Sequence, residues 1–127
     1  MNDARPRVLV ADDEQVMRLL ITSILTKMNC EVVGQAVNGE EAVRLFREQR
    51  PDLLLMDINM PLKTGEEALQ ELRAEFPKAL VVMLTSVIES ATVEKCIALG
   101  AAGYIRKDSS VDEIKGIIRE ALQTKGE

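Results

Sequence analysis

Five times along 127 residues, a short apolar run gives way to a stretch whose apolar residues recur every three or four positions. A run of that kind followed by a 3.6-residue period reads as a strand and then a helix, and strands alternating with helices assemble into a parallel sheet. The runs Val8–Ala11, Leu53–Met56 and Leu80–Leu84 are nearly continuous in Val, Leu and Met, as strands are when helices cover both faces of their sheet. Val32–Val37 and Tyr104–Arg106 supply the other two strands. The expected fold class is therefore α/β, a doubly wound five-stranded parallel sheet with helices on both faces. Right-handed crossovers restrict the strand orders to a few.

The helices can be placed residue by residue. The first is expected from near Glu14, with Met17, Leu20, Ile21, Ile24 and Met28 along one stripe. Asn38 is a suitable cap for the second, which turns Ala42, Leu45 and Phe46 inward and closes at Pro51. Pro61 and Gly65 mark a loop, and the third helix carries Ala68, Leu69, Leu72 and Phe76 up to Pro77. The fourth begins somewhere between Ser86 and Ser90, with Val93, Ile97 and Gly100 as its stripe. Ser110 and Glu113 have capping-box spacing ahead of Ile114, Ile117, Ile118, Ala121 and Leu122 in the fifth. Met1 to Pro6 and Thr124 to Glu127 are expected to be loosely held. The whole chain, 1–127, is expected to be one domain, long enough for a core without disulfides or structural metal.

With 16 Lys and Arg against 21 Asp and Glu, the net charge is -5, and the basic residues are scattered. Such a surface does not neutralise phosphates, so direct nucleic-acid binding by this domain is not expected. Cys30 and Cys96 have no metal or redox spacing and read as buried free thiols in a reducing compartment. No leading basic-then-apolar segment and no apolar run of about eighteen residues is present, which points away from export and from membranes. The expected location is cytoplasmic.

Function is carried by the residues at the ends of the strands. Asp12 and Asp13 come after the first run, Asp57 after the third, Thr85 after the fourth and Lys107 after the fifth. Ligands of open parallel sheets bind just outside the carboxyl ends of the strands, so these residues converge on one place. Taken singly, each has an ordinary reading: the acidic pair as a helix cap, Asp57 as a turn residue, Thr85-Ser86 as a cap, Lys107 as a solvated charge and Tyr104 as packing. Their joint placement outweighs those readings. Three carboxylates within a few ångströms repel one another, and one lysine compensates only in part. A hard divalent cation would resolve the repulsion.

Asp12-Asp13, Asp57 with Asn59-Met60-Pro61, Thr85-Ser86 and Tyr104-Ile105-Arg106-Lys107 together resemble the receiver domain of two-component response regulators, over essentially the whole chain. The resemblance implies the flavodoxin-like strand order 2-1-3-4-5. It implies that Asp57 takes a phosphoryl group from a phosphohistidine, forming an acyl phosphate. It makes Mg²⁺ the cofactor, held by Asp13, Asp57 and the Asn59 carbonyl, with Asp12 reaching it mainly through water. Lys107 and the Thr85 hydroxyl would contact phosphoryl oxygens, and backbone N–H groups near Asn59 and Ser86 would complete the cradle. Thr85 and Tyr104 would be the switch, altering the surface of helix four, strand five and helix five. The implied partners are a histidine kinase or phosphotransfer protein and a downstream target or output domain, with phosphorylation-dependent homodimerisation as a further expectation. The chain would be a signalling switch, an enzyme only toward itself.

One position departs from the family: many receivers have proline after the lysine, where Asp108 stands here. A trans Lys107–Asp108 peptide, a more mobile loop and competition between Asp108 and Asp57 for Lys107 are the expectations. The segment Gly103–Asp108 is similar to receivers that precede a helix-turn-helix output domain, so a stand-alone chain and a part of a longer regulator both remain open. Three other functions suit the residues less well. A haloacid-dehalogenase-type phosphohydrolase would need an acid two residues after its nucleophile, where this sequence has Asn59. A nucleotide-binding module would need a glycine-rich loop where Asp12-Asp13-Glu14 stands. A degenerate receiver acting as a docking domain would have no need of the intact acidic set.

Overall fold

In the computed structural model, residues 5–86 and 90–125 are described. The elements are β1 (Arg7–Ala11), α1 (Gln15–Lys27), β2 (Glu31–Ala36), α2 (Gly39–Gln49), β3 (Leu53–Asp57), α3 (Gly65–Glu75), β4 (Val81–Thr85), α4 (Ser90–Ala98), β5 (Gly103–Arg106) and α5 (Val111–Lys125). All strand pairs are parallel, and the sheet runs β2-β1-β3-β4-β5. This is the five-stranded flavodoxin-like order 2-1-3-4-5 that the resemblance implies.

Side chains alternate across a strand, and the sheet divides its apolar residues accordingly. Leu9, Ala11, Leu54, Met56, Val81 and Met83 face Ala42, Val43 and Phe46 of α2, Ala68, Leu69 and Leu72 of α3, and Cys96 of α4. Val8, Val10, Leu53, Leu55, Val82, Leu84 and Ile105 face Met17, Ile21, Ile24 and Leu25 of α1 and Ile114, Ile118 and Ala121 of α5. Each fully buried Leu, Ile or Val contributes about 1.5–3 kcal/mol relative to exposure. That continuous burial belongs to β1, β3 and β4, the three inner strands of the sheet. Cys30 and Cys96 are buried free thiols.

Helix boundaries follow local chemistry. The Asn38 side chain accepts from Glu41 N at 2.8 Å. Thr64 and Glu67 form a capping box at α3, and Ser110 and Glu113 bond reciprocally at α5 as anticipated. The α4 helix closes through Gly100 at φ 106°, with Gly100 N donating to Ile97 O and Ala101 N to Cys96 O, each at 3.0 Å. That is a Schellman closure.

Several sequence expectations shift. Gly100 terminates α4 instead of lining its stripe, and Ile97 is exposed while neighbouring Cys96 is buried. On α1 the apolar face centres between Ile21 and Met28, which carries Leu25 inside and turns Leu20 to the rim. Gly65 opens α3 and does not lie in a loop, and Val37 falls outside β2. Asp57 and Thr85 are the last residues of their strands, not residues beyond them. Ser90 begins α4, whereas residues 87–89, part of the expected range for that start, and the terminal stretches 1–4 and 126–127 lie outside the described residues.

Candidate functional site

The carboxyl ends of β1, β3, β4 and β5 bring the anticipated residues together. Asp12 is fully buried just past β1. Its backbone N–H donates to Ala36 O at 3.0 Å, its Oδ1 accepts from Glu14 N at 2.8 Å, and its carbonyl accepts from Arg18 Nη1 at 2.7 Å. Asp57 is 4% exposed at the end of β3, with Oδ1 accepting from Asn59 N at 3.3 Å. Asp13 and Asn59 are exposed. Carboxylate oxygens of Asp12, Asp13 and Asp57 all lie within 4.8 Å of one another.

Lys107 follows directly after β5. Its backbone N–H donates to Thr85 O at 2.8 Å, which extends the β4–β5 pairing by one bond and fixes the start of the β5–α5 turn. Its ammonium lies 2.8 Å from Asp12 Oδ2, 2.7 Å from Glu14 Oε1 and 3.2 Å from Asp57 Oδ2. Thr85 is buried beside it, and Tyr104, two residues before Arg106 on β5, is 40% exposed. The lysine-to-aspartate peptide at 107–108 is trans, since no cis peptide occurs among the described residues.

The electrostatics follow from burial and crowding. Burial, then the negative charge of Asp12, pushes the Asp57 carboxyl up to about 6; Lys107 and the Asn59 N–H offset only part of this. For Lys107, burial alone would lower the pKa, but the close carboxylates of Asp12 and Glu14 and the charge of Asp57 more than reverse it, so the ammonium is held charged. The Lys107 hydrogen bond and charge lower Glu14.

A divalent cation fits this donor set. Asp12 Oδ2 is buried and has no aligned hydrogen-bond donor; its 2.8 Å contact with Lys107 is an ion pair only. Three carboxylates with a nearby backbone carbonyl are hard oxygen donors of the sort Mg²⁺ prefers, with water completing its shell.

Two residues at the site carry no clear mark in the sequence. Glu14, expected only as the start of a helix, bonds Lys107 across 93 positions. Arg18 anchors both the Asp12 carbonyl and Gln35 Oε1 of β2. The run Asp12-Asp13-Glu14 is the only sequence signal for Glu14; nothing local marks its partner. Asp108, expected to compete for Lys107, instead pairs with Arg106 at 2.8 Å: side by side on the exposed rim, those two meet without reaching into the site.

The response regulator receiver domain family matches residues 8–119. The chain belongs to that family. It is 44% identical over 101 residues to protein CcdB of Bacillus subtilis, covering 80% of this chain and 84% of that protein. Against the chemotaxis protein CheY of Thermotoga maritima it is 39% identical over 101 residues, with the same coverage of 80% and 84%. Against the response regulator VraR of Staphylococcus epidermidis it is 37% identical over 118 residues, 92% of this chain but only 56% of VraR. The receiver thus spans little more than half the length of that relative. Among solved structures, the signal receiver domain of a NarL regulator from Mycobacterium tuberculosis superposes with a TM-score of 0.89 at 30% identity, covering 95% of this chain and 98% of that one. The response regulator domain of Thermotoga maritima CheB gives 0.85 at 33% identity, covering 94% and 97%. Receivers of this family are signalling switches of two-component systems. No described helix is long and apolar enough to cross a membrane.

Proposed function

We propose that this receiver accepts a phosphoryl group on Asp57 from the phosphohistidine of a histidine kinase or phosphotransfer protein. A carboxylate oxygen of Asp57 attacks phosphorus, a P–O bond forms, the P–N bond breaks, and the imidazole leaves. The observation that carries this reading is the buried Asp57 carboxylate with a lysine ammonium 3.2 Å from one oxygen and two further aspartates beside it. Asp13, Asp57 and the Asn59 carbonyl would hold Mg²⁺, with Asp12 acting mainly through water. The cation would neutralise charge on the carboxylates and on the arriving phosphoryl oxygens. Lys107 pairs with one phosphoryl oxygen and the Thr85 hydroxyl donates to another.

Movement of Thr85 toward the phosphoryl group frees space behind it for the Tyr104 ring. The face changed is that of α4, β5 and α5, where Ile97 and Tyr104 are exposed and line a groove of about 580 Å³. A downstream protein, an output domain on a longer chain or a second phosphorylated copy would read that face. We place this activity in the cytoplasm and assign it to residues 1–127 as one receiver unit. Hydrolysis of outside phosphoesters is disfavoured because Asn59, two residues past Asp57, has no proton to give as an acid.

The test is intact-protein mass after incubation with acetyl phosphate, with and without Mg²⁺, for the native chain and Asp57→Asn. One added phosphoryl group that needs both Mg²⁺ and Asp57 is expected. Labelling that persists in Asp57→Asn would transfer the role to another residue.

A further inference from the structure

We propose that Glu14 competes with the phosphoryl group for the Lys107 ammonium and thereby weakens the hold of this site on an aspartyl phosphate. The inference rests on Asp57 being the phosphoacceptor. Glu14 occupies the cap position of α1 with extended backbone, yet its side chain makes no capping bond. It reaches across the mouth of the site to Lys107 Nζ at 2.7 Å, closer than Asp57 Oδ2 at 3.2 Å. Glu14 is not among the carboxylates whose oxygens cluster within 4.8 Å. It acts through the lysine, as a positioning residue.

An ammonium has three donors, and here Glu14 and Asp57 accept from it while the Asp12 carboxylate pairs with its charge. Once a phosphoryl group sits on Asp57, its oxygens need that ammonium, while Asp12 and Glu14 already hold it more closely than Asp57 does. Asp12 is fully buried, so bulk water cannot replace the ammonium there. Glu14 is 63% exposed at its side chain, so water can replace the lysine there at small cost. Glu14 also adds a negative charge beside the place where the phosphoryl oxygens develop theirs. Lost ammonium and added repulsion act in the same direction. Removal of Glu14 frees a donor and takes one negative charge from beside the site.

The experiment is calorimetric titration of beryllofluoride, a non-covalent stand-in for the phosphoryl group, at saturating Mg²⁺ into the native protein, Glu14→Gln and Glu14→Asp. Because the exposed pair is weak, Glu14→Gln should bind about two- to fivefold more tightly. Glu14→Asp, which keeps the charge but is one methylene shorter, should fall between the other two. Titration with Mg²⁺ alone should show no tightening in Glu14→Gln, which separates competition for the lysine from a change at the metal ligands. Equal or weaker beryllofluoride binding by Glu14→Gln overturns the proposal, as does Mg²⁺ binding tightened by the same factor. If the native protein neither binds beryllofluoride nor gains a phosphoryl group, the phosphoacceptor reading itself fails. Binding by the native protein with no tightening in Glu14→Gln removes Glu14 alone.

Discussion

Gly65 packs so closely beneath Asp57 that a β-carbon on it would overlap the Asp57 carbonyl oxygen. Its N–H donates to Ile58 O at 2.8 Å, tying the start of α3 to the end of β3. Gly65→Ala must therefore displace the backbone that carries the proposed phosphoacceptor. Overpacking of this kind costs about 1–3 kcal/mol. Urea unfolding should show that loss, and labelling by acetyl phosphate should slow. A variant as stable and as reactive as the native protein would mean that the junction yields freely.

The raised pKa of Asp57 makes its charge a burden on the metal-free fold. The folded value, about 6, lies above the ordinary 3.8, so the native state binds this proton more tightly than the unfolded chain. The linked stability is fully present below pH 3.8, declines as pH rises, and is gone above about 6. A gap from 3.8 to about 6 corresponds to about 3 kcal/mol at most. Asp57→Asn should thus be more stable than the native protein at pH 7.5 without Mg²⁺, with the advantage shrinking toward pH 4 and on addition of Mg²⁺. Paired urea titrations across that range check the sign, and an Asn variant less stable at pH 7.5 would contradict it.

Gly116 lies within α5, and nothing stands within 4 Å of the position a β-carbon would take there. Its backbone freedom in the unfolded chain then costs stability that no close packing offsets. Gly116→Ala should stabilise the protein by about 0.5–1 kcal/mol, read as a higher urea midpoint with the same slope. A loss of stability would show that α5 needs the gap.

How much of the molecule is legible in its sequence depends on range. The sheet and both helical layers follow from apolar periodicity, because Val8, Leu9, Leu54 and Leu55 are buried whichever face they take. The converging set Asp12, Asp13, Asp57, Thr85 and Lys107 is legible because parallel strands place their carboxyl ends on one edge. The partners within that set are not. Glu14 and Lys107 are 93 positions apart, and no local pattern says that Glu14 and not Asp108 takes the lysine. On α4, Ile97 and Cys96 are indistinguishable until the helix axis is fixed: the larger residue draws the expectation, and the smaller one fits against the sheet.

Thr85 and Tyr104 supply the test of the switch. Thr85 is 5% exposed and Tyr104 40%, one at the acidic site and the other at the surface of the α4–β5–α5 face. Tyr104 is the only tyrosine and the chain has no tryptophan, so tyrosine emission reports on this ring alone. Beryllofluoride with Mg²⁺ should change that emission in the native protein. A complete shift from 1:99 to 99:1 requires about 5.5 kcal/mol of differential binding, so a partial change is compatible with the mechanism. In Thr85→Ala, beryllofluoride should still bind through Asp57 and Lys107 while the emission no longer responds, and Thr85→Ser should recover the response because it keeps the hydroxyl. If the emission of Thr85→Ala responds as in the native protein, the signal reaches Tyr104 by a path that does not pass through Thr85.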